Sequence, residues 1–96
     1  MISEFNVSEI AIYCPRRAMN QFYKKVRLVD DSNELIGKYL SMFDSRVESL
    51  VQIRDIPPKL ILIYSWIFGV EIKGRCLEYA EFNKSKIITI EEISRS

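Results

Sequence analysis

Histidine does not occur in this 96-residue chain. Its absence removes the Ser-His-Asp and Cys-His nucleophile systems, the histidine general base and every metal site that needs an imidazole ligand. The two cysteines, Cys14 and Cys76, are too few for a closed structural zinc site built from this chain alone, which takes four Cys or His ligands. Glycine is scarce as well, and Gly37, Gly69 and Gly74 stand apart without forming a phosphate-cradling loop. Long apolar runs are missing: the longest, Leu60 to Val70, is broken by Ser65 and Gly69 and falls short of the roughly 20 residues of a membrane span. The first residues, Met1-Ile2-Ser3-Glu4-Phe5, carry neither the basic nor the apolar region of a secretory leader. These absences lead us to expect a cytoplasmic protein without membrane association, with no metal, no cofactor and no enzymatic activity.

What is present is the composition of an ordinary folded domain. Hydrophobic residues make up 48% and charged residues 28%, well above the apolar content of disordered chains, and a single domain over residues 1–96 is expected. Fourteen basic and thirteen acidic side chains leave a net charge of +1, so whole-chain charge names no partner. The charges are unevenly distributed. Residues 1–29 hold five basic and two acidic groups, residues 30–57 three and six, residues 58–96 six and five. Cys14 and Cys76 both sit in apolar stretches and are expected to be separate reduced thiols acting as small hydrophobes.

Hydrophobic patterning supplies the expected elements. Apolar residues at Phe5 and Val7, then Ile10 and Ile12, predict an N-terminal strand that Cys14-Pro15 ends. Ala18, Met19, Phe22 and Tyr23 form a short helical stripe. Lys25 to Val29 and Glu34 to Leu40 flank Asp30-Asp31-Ser32-Asn33 as a hairpin would. The competing reading caps a helix at Ser32 or Asn33 and carries it through Phe43, against which Gly37 costs about 1 kcal/mol. Asp44 or Ser45 caps a helix over Arg46 to Arg54, stopped by Pro57-Pro58. Leu60 to Phe68 reads as a central strand covered on both faces. Val70, Ile72, Gly74 and Cys76 alternate with Glu71, Lys73 and Arg75, predicting a long strand from Val70 to Phe82 that bends at Gly74. Asn83-Lys84-Ser85 would turn it into a last strand, Ile87 to Ile90. The expected fold is therefore α+β: a mostly antiparallel sheet of about five or six strands with a C-terminal β-meander and one or two short helices.

Two short segments resemble known families. Lys25 to Gly37 resembles the first hairpin of the N-terminal domain of bacterial translation initiation factor three, with its Val26-Arg27-Leu28 run, polar turn and glycine. Gly69 to Cys76 is similar to the paired-glycine strand of Sm-like proteins. Both resemblances imply contact with RNA, and neither transfers a binding residue to this chain.

Two sites are expected. For a protein partner, the alternating strand presents Glu71, Lys73, Arg75 and Glu81 with Tyr79 on one mixed-charge face, among wider anchor candidates Tyr13, Tyr23, Tyr39, Tyr64 and Trp66. For RNA or DNA, the segment 13–27 offers Arg16, Arg17, Lys24, Lys25 and Arg27 against phosphates, with Tyr23 to stack on a base. The carboxylates Asp30, Asp31 and Glu34 lack the spacing and glycine of a calcium loop and read as turn chemistry, and Glu91-Glu92 as a solvated edge. Small size, balanced charge and missing catalytic motifs favour the first reading: a non-enzymatic protein-binding module of the inhibitor, immunity or anti-defence kind.

Overall fold

A computed structural model describes residues 6, 9–18, 25–78 and 85–95, with the backbone alone for 93–95. In chain order the elements are β1 (Ile10–Tyr13), a 3-10 turn (Pro15–Ala18), β2 (Arg27–Val29), β3 (Tyr39–Leu40), β4 (Ser45–Glu48), α1 (Leu50–Asp55), β5 (Leu60–Ile63), α2 (Gly69–Leu77), β6 (Lys86–Thr89) and α3 (Ile90–Arg95). All six strands join one sheet in the order β3-β4-β2-β1-β5-β6.

Alternation along the strands divides the core between the two faces of the sheet. Successive side chains of a strand point to opposite sides. Ile10, Ile12, Leu28, Val47, Leu60, Leu62 and Ile88 therefore pack on one face, with Ala18 of the 3-10 turn and Leu35 and Phe43 of the β2–β4 connection. Ala11, Tyr13, Val29, Ile61, Ile63 and Ile87 pack on the other, against Leu50 and Ile53 of α1 and Ile72 and Cys76 of α2. A strand buried on both faces reads as an unbroken apolar run, which is what Ile10–Tyr13 and Leu60–Ile63 show.

The sheet is mostly parallel, which corrects the antiparallel meander expected above. β1 pairs in parallel with β2 and β5, β2 with β4, and β5 with β6; only β3 and β4 are antiparallel. The expected hairpin of residues 25–29 with 34–40 does not form. β4 lies between β2 and β3, and residues 33–37 are turns, so the segment 34–43 is neither the long strand nor the helix considered. Asp30 and Ser32 behave as turn residues: the Asp30 carboxylate accepts from the Ser32 amide at 2.8 Å, and Ser32 Oγ from the Glu34 amide at 3.2 Å. The helix expected over Arg46 to Arg54 begins later, because Ser45–Glu48 pairs with β2. Ser49 and Gln52 then form a reciprocal capping box at the start of α1.

The second large correction falls on residues 70–82. Gly69–Leu77 is a helix whose buried residues are Gly69, Ile72 and Cys76, spaced i, i+3, i+7 as a helical stripe requires. The alternation of Val70, Ile72, Gly74 and Cys76 with charged residues was compatible with a strand, but Val70 is exposed and Gly69 supplies the buried position in its place. With a helix here the chain crosses over, and β6 joins β5 in parallel instead of turning back. The last residues form α3 where a polar tail was expected. Residues 79–82, 83 and 84, which the strand and its hairpin loop were to include, lie outside the described residues, as do 19–24 of the expected N-terminal helical stripe. No helix among the described residues is long and apolar enough to cross a membrane.

Candidate functional site

The parallel strands β4, β2, β1, β5 and β6 place β1 in the middle, with the chain moving outward first on one side and then on the other. This is the strand order of a doubly wound sheet, in which the loops leaving neighbouring strands diverge at a switch point and open a surface at the carboxyl edge. Here the switch point lies between β1 and β5, whose last paired residues are Tyr13 and Ile63.

From β1 the chain turns sharply at Cys14, whose φ of 60° lies in the left-handed region. The Cys14 amide donates to Val29 O at 3.2 Å, and Cys14 O accepts from the Arg17 amide at 3.0 Å. Arg16 and Arg17 thereby leave the carboxyl edge exposed, and neither forms an ion pair among the described residues. From β5 the chain continues as Tyr64-Ser65-Trp66-Ile67-Phe68. The Tyr64 amide donates to Tyr13 O at 3.1 Å, Ser65 Oγ accepts from the Phe68 amide at 3.0 Å, and Phe68 O accepts the first helical bond of α2 from Ile72 at 2.9 Å. The turn is tied at both ends, yet Trp66 is 59% exposed, Ile67 79%, Phe68 55% and Val70 77%. Four large apolar side chains are held in solvent by a hydrogen-bonded frame. Ile67 and Phe68 were expected inside the central strand, which stops at Ile63; the sign in the sequence was an apolar run too long for one ordinary strand, with Ser65 in its middle.

Beside this turn, Asp31 joins three elements. Its carboxylate accepts from the Tyr13 hydroxyl and from the Arg75 guanidinium of α2. Burial and the Asp31 carboxylate both push the Tyr13 hydroxyl far above its ordinary titration range. Burial, and secondarily Asp30 and Asp31, push the Cys14 thiol up to about 11. Burial does the same for Cys76, also to about 11. Both cysteines are free thiols, Cys14 half-buried and Cys76 buried, and at neutral pH neither is a thiolate nucleophile.

The sequence-predicted sites are dispersed. On a helix Glu71 and Arg75 share a face while Lys73 lies on the opposite one, so the mixed-charge face of a strand does not exist. Lys73 pairs with Glu92 of α3 at 2.7 Å, and Arg75 with Asp31. Tyr79 and Glu81 lie outside the described residues. Of the basic segment, Arg16 and Arg17 sit at the carboxyl end of β1, whereas Lys25 and Arg27 sit at the amino end of β2, the opposite edge of the same parallel pair. Lys25 faces Asp44 at 4.0 Å, and Arg27 grips Glu48 at 3.0 and 3.1 Å while also donating to Ile56 O. Tyr23 and Lys24 lie outside the described residues. Among the other anchors, Tyr13 and Tyr64 are buried and Tyr39 is half exposed.

Comparison with protein-family models, with curated proteins and with solved structures finds no match to this chain. The helical conformation of Gly69–Leu77 and the parallel pairing of β2 set aside the two short family resemblances on structural grounds.

Proposed function

We propose that the protein is a non-enzymatic binding module that recognises a protein partner through the Trp66–Val70 turn. The observation that carries this reading is the exposure of Trp66, Ile67, Phe68 and Val70 on a turn fixed by its own hydrogen bonds. Contiguous exposed apolar side chains mark interaction sites, and aromatic anchors that are already ordered lose little entropy on binding. Arg17, exposed at the neighbouring strand end, gives the patch a cationic margin, and the complementary partner presents an apolar groove with carboxylates on its rim. The nucleic-acid reading is weaker because Arg16 and Arg17 stand on the opposite edge from Lys25 and Arg27, and the acidic pair Asp30-Asp31 follows the adjacent strand. A catalytic reading through either thiol is weaker, since burial raises both Cys14 and Cys76 to about 11.

The test compares wild type with Trp66→Ala/Phe68→Ala as bait in native lysate, with and without nuclease. The substitutions fall on exposed positions and change stability by no more than about 0.5 kcal/mol each. A nuclease-resistant protein retained by wild type and lost from the double variant supports the reading. Equal retention by both baits, or material released by nuclease, overturns it.

A further inference from the structure

A cavity of about 270 Å³ opens on the face of the sheet that carries Leu28 and Val47, between the 3-10 turn and the segment 35–43. Its floor is apolar: Leu35 and Phe43 are buried core residues. Tyr39 forms a wall, its ring steadied by a hydrogen bond from its hydroxyl to the Asp44 carboxylate. Two cations, Arg16 and Lys38, line the opening, and neither has an ion-pair or hydrogen-bond partner among the described residues; no carboxylate is among the described lining residues. Some other surface cations are paired, Lys25 with Asp44, Lys59 with Glu9 and Lys73 with Glu92, while Arg17 and Lys86 are in no ion pair among the described residues but do not line this cavity.

We infer that this cavity binds a small amphipathic anion, an apolar body bearing one carboxylate. The volume equals that of about nine waters, room for one ring and a short chain. The apolar floor takes the body, while the guanidinium of Arg16 and the ammonium of Lys38 meet the carboxylate at the mouth, where a neutral ligand would leave both without a partner. Such a carboxylate comes either from a free acid or from the C-terminus of a peptide ending in an aromatic residue. This site is separate from the Trp66–Val70 turn, and the two readings stand or fall independently.

The test is an amide-resolved NMR titration of the whole chain with 3-phenylpropionate, its neutral amide 3-phenylpropanamide, and N-acetyl-Ala-Phe. The expected result is saturable shifts centred on Leu35 and residues 38–43 with a dissociation constant on the order of 1 mM for the better of the two acids. The better acid assigns the source of the carboxylate. The neutral amide and the Arg16→Gln/Lys38→Gln variant, both of whose sites are exposed, should each weaken binding by about tenfold or more. Shifts that never saturate, that are as strong with the neutral amide, that persist unchanged in the variant, or that centre on Trp66–Val70 would overturn the inference.

Discussion

Asp31 shows how much one exposed carboxylate can organise. It follows β2, yet it accepts from Tyr13 at the end of β1 and from Arg75 of α2, and so fixes the helix over the strand ends beside the proposed interface. The Arg75 contact is solvent-exposed and contributes no more than about 1 kcal/mol. The Tyr13 contact matters more because the tyrosine is buried. Asp31→Ala leaves that hydroxyl without its partner and should cost about 1–3 kcal/mol, whereas Tyr13→Phe removes the need for the partner and should cost less, about 1 kcal/mol. Urea unfolding of the two variants checks the order. The same region sets the alkaline limit. Cys14, Cys76 and Tyr13 all titrate above their ordinary values of 9.0, 9.0 and 10.0, so the folded chain retains protons that the unfolded chain releases. Their contribution is fully present below pH 9 and is lost as pH rises, through about 11 for the thiols and beyond it for Tyr13. The urea midpoint should hold level from neutrality to about pH 8.5 and then decline. On the acid side Glu92, held below its ordinary value by Lys73 and the Thr89 amide, loses its smaller contribution as pH falls below 4.5.

At the scale of elements, α2 carries the sharpest test of the fold. Gly74 sits inside it, and an added Cβ meets nothing within 4 Å. Gly74→Ala should therefore stabilise the protein by up to about 1 kcal/mol, since alanine is the better helix former. Gly37, at φ +89°, should respond with the opposite sign, because alanine is strained there. Thermal unfolding of both variants distinguishes the two signs, and a destabilised Gly74→Ala would contradict the helix. The same elements show what could be read from the sequence. Leu60–Ile63 was legible because a strand buried on both faces has little choice but a continuous apolar run, though the run was read on to Phe68. Ile10–Tyr13 was found through the alternation of Ile10 and Ile12, while Phe5 and Val7 of that expected strand lie outside the described residues, and Pro15 and Pro57-Pro58 marked true ends. Gly69–Leu77 was not, because its apolar residues satisfy period two and helical spacing at once, and only burial of Gly69 in place of Val70 decides between them. The direction of the β5–β6 pairing hung on that assignment: a helix between them permits a parallel crossover, which a strand in the same place would not, while β1–β2, β1–β5 and β2–β4 are parallel independently of it. Strand β4 was hidden for a related reason, since Val47, Leu50 and Val51 fit one helix, while Glu48 ends the strand and Ser49 caps the helix that follows at once.

Across the whole molecule, parallel order brings the carboxyl ends of five strands to one edge and sorts the side chains that follow them. Arg16 and Arg17, Asp30 and Asp31, and Trp66 to Phe68 meet at that edge, whereas Lys25 and Arg27 are carried to the other. A linear reading of segment 13–27 as one basic surface could not anticipate this separation. Nor could it see that Lys73 and Arg75 are engaged within the fold. The candidate site was legible only in Trp66, chosen for its residue type; Ile67 and Phe68 were hidden because exposure depends on β5 ending at Ile63. The central claim is that this edge, through its aromatic turn, meets a protein of another kind. The most direct measurement places a photo-crosslinking amino acid at Ile67 in cells of the native host, with Val51, exposed on α1, as the control position. The account predicts one discrete, nuclease-resistant adduct with another protein from position 67, absent from position 51 and abolished by Phe68→Ala. Equal adducts from both positions, an adduct with nucleic acid or with a second copy of this chain, or no adduct at all would contradict it.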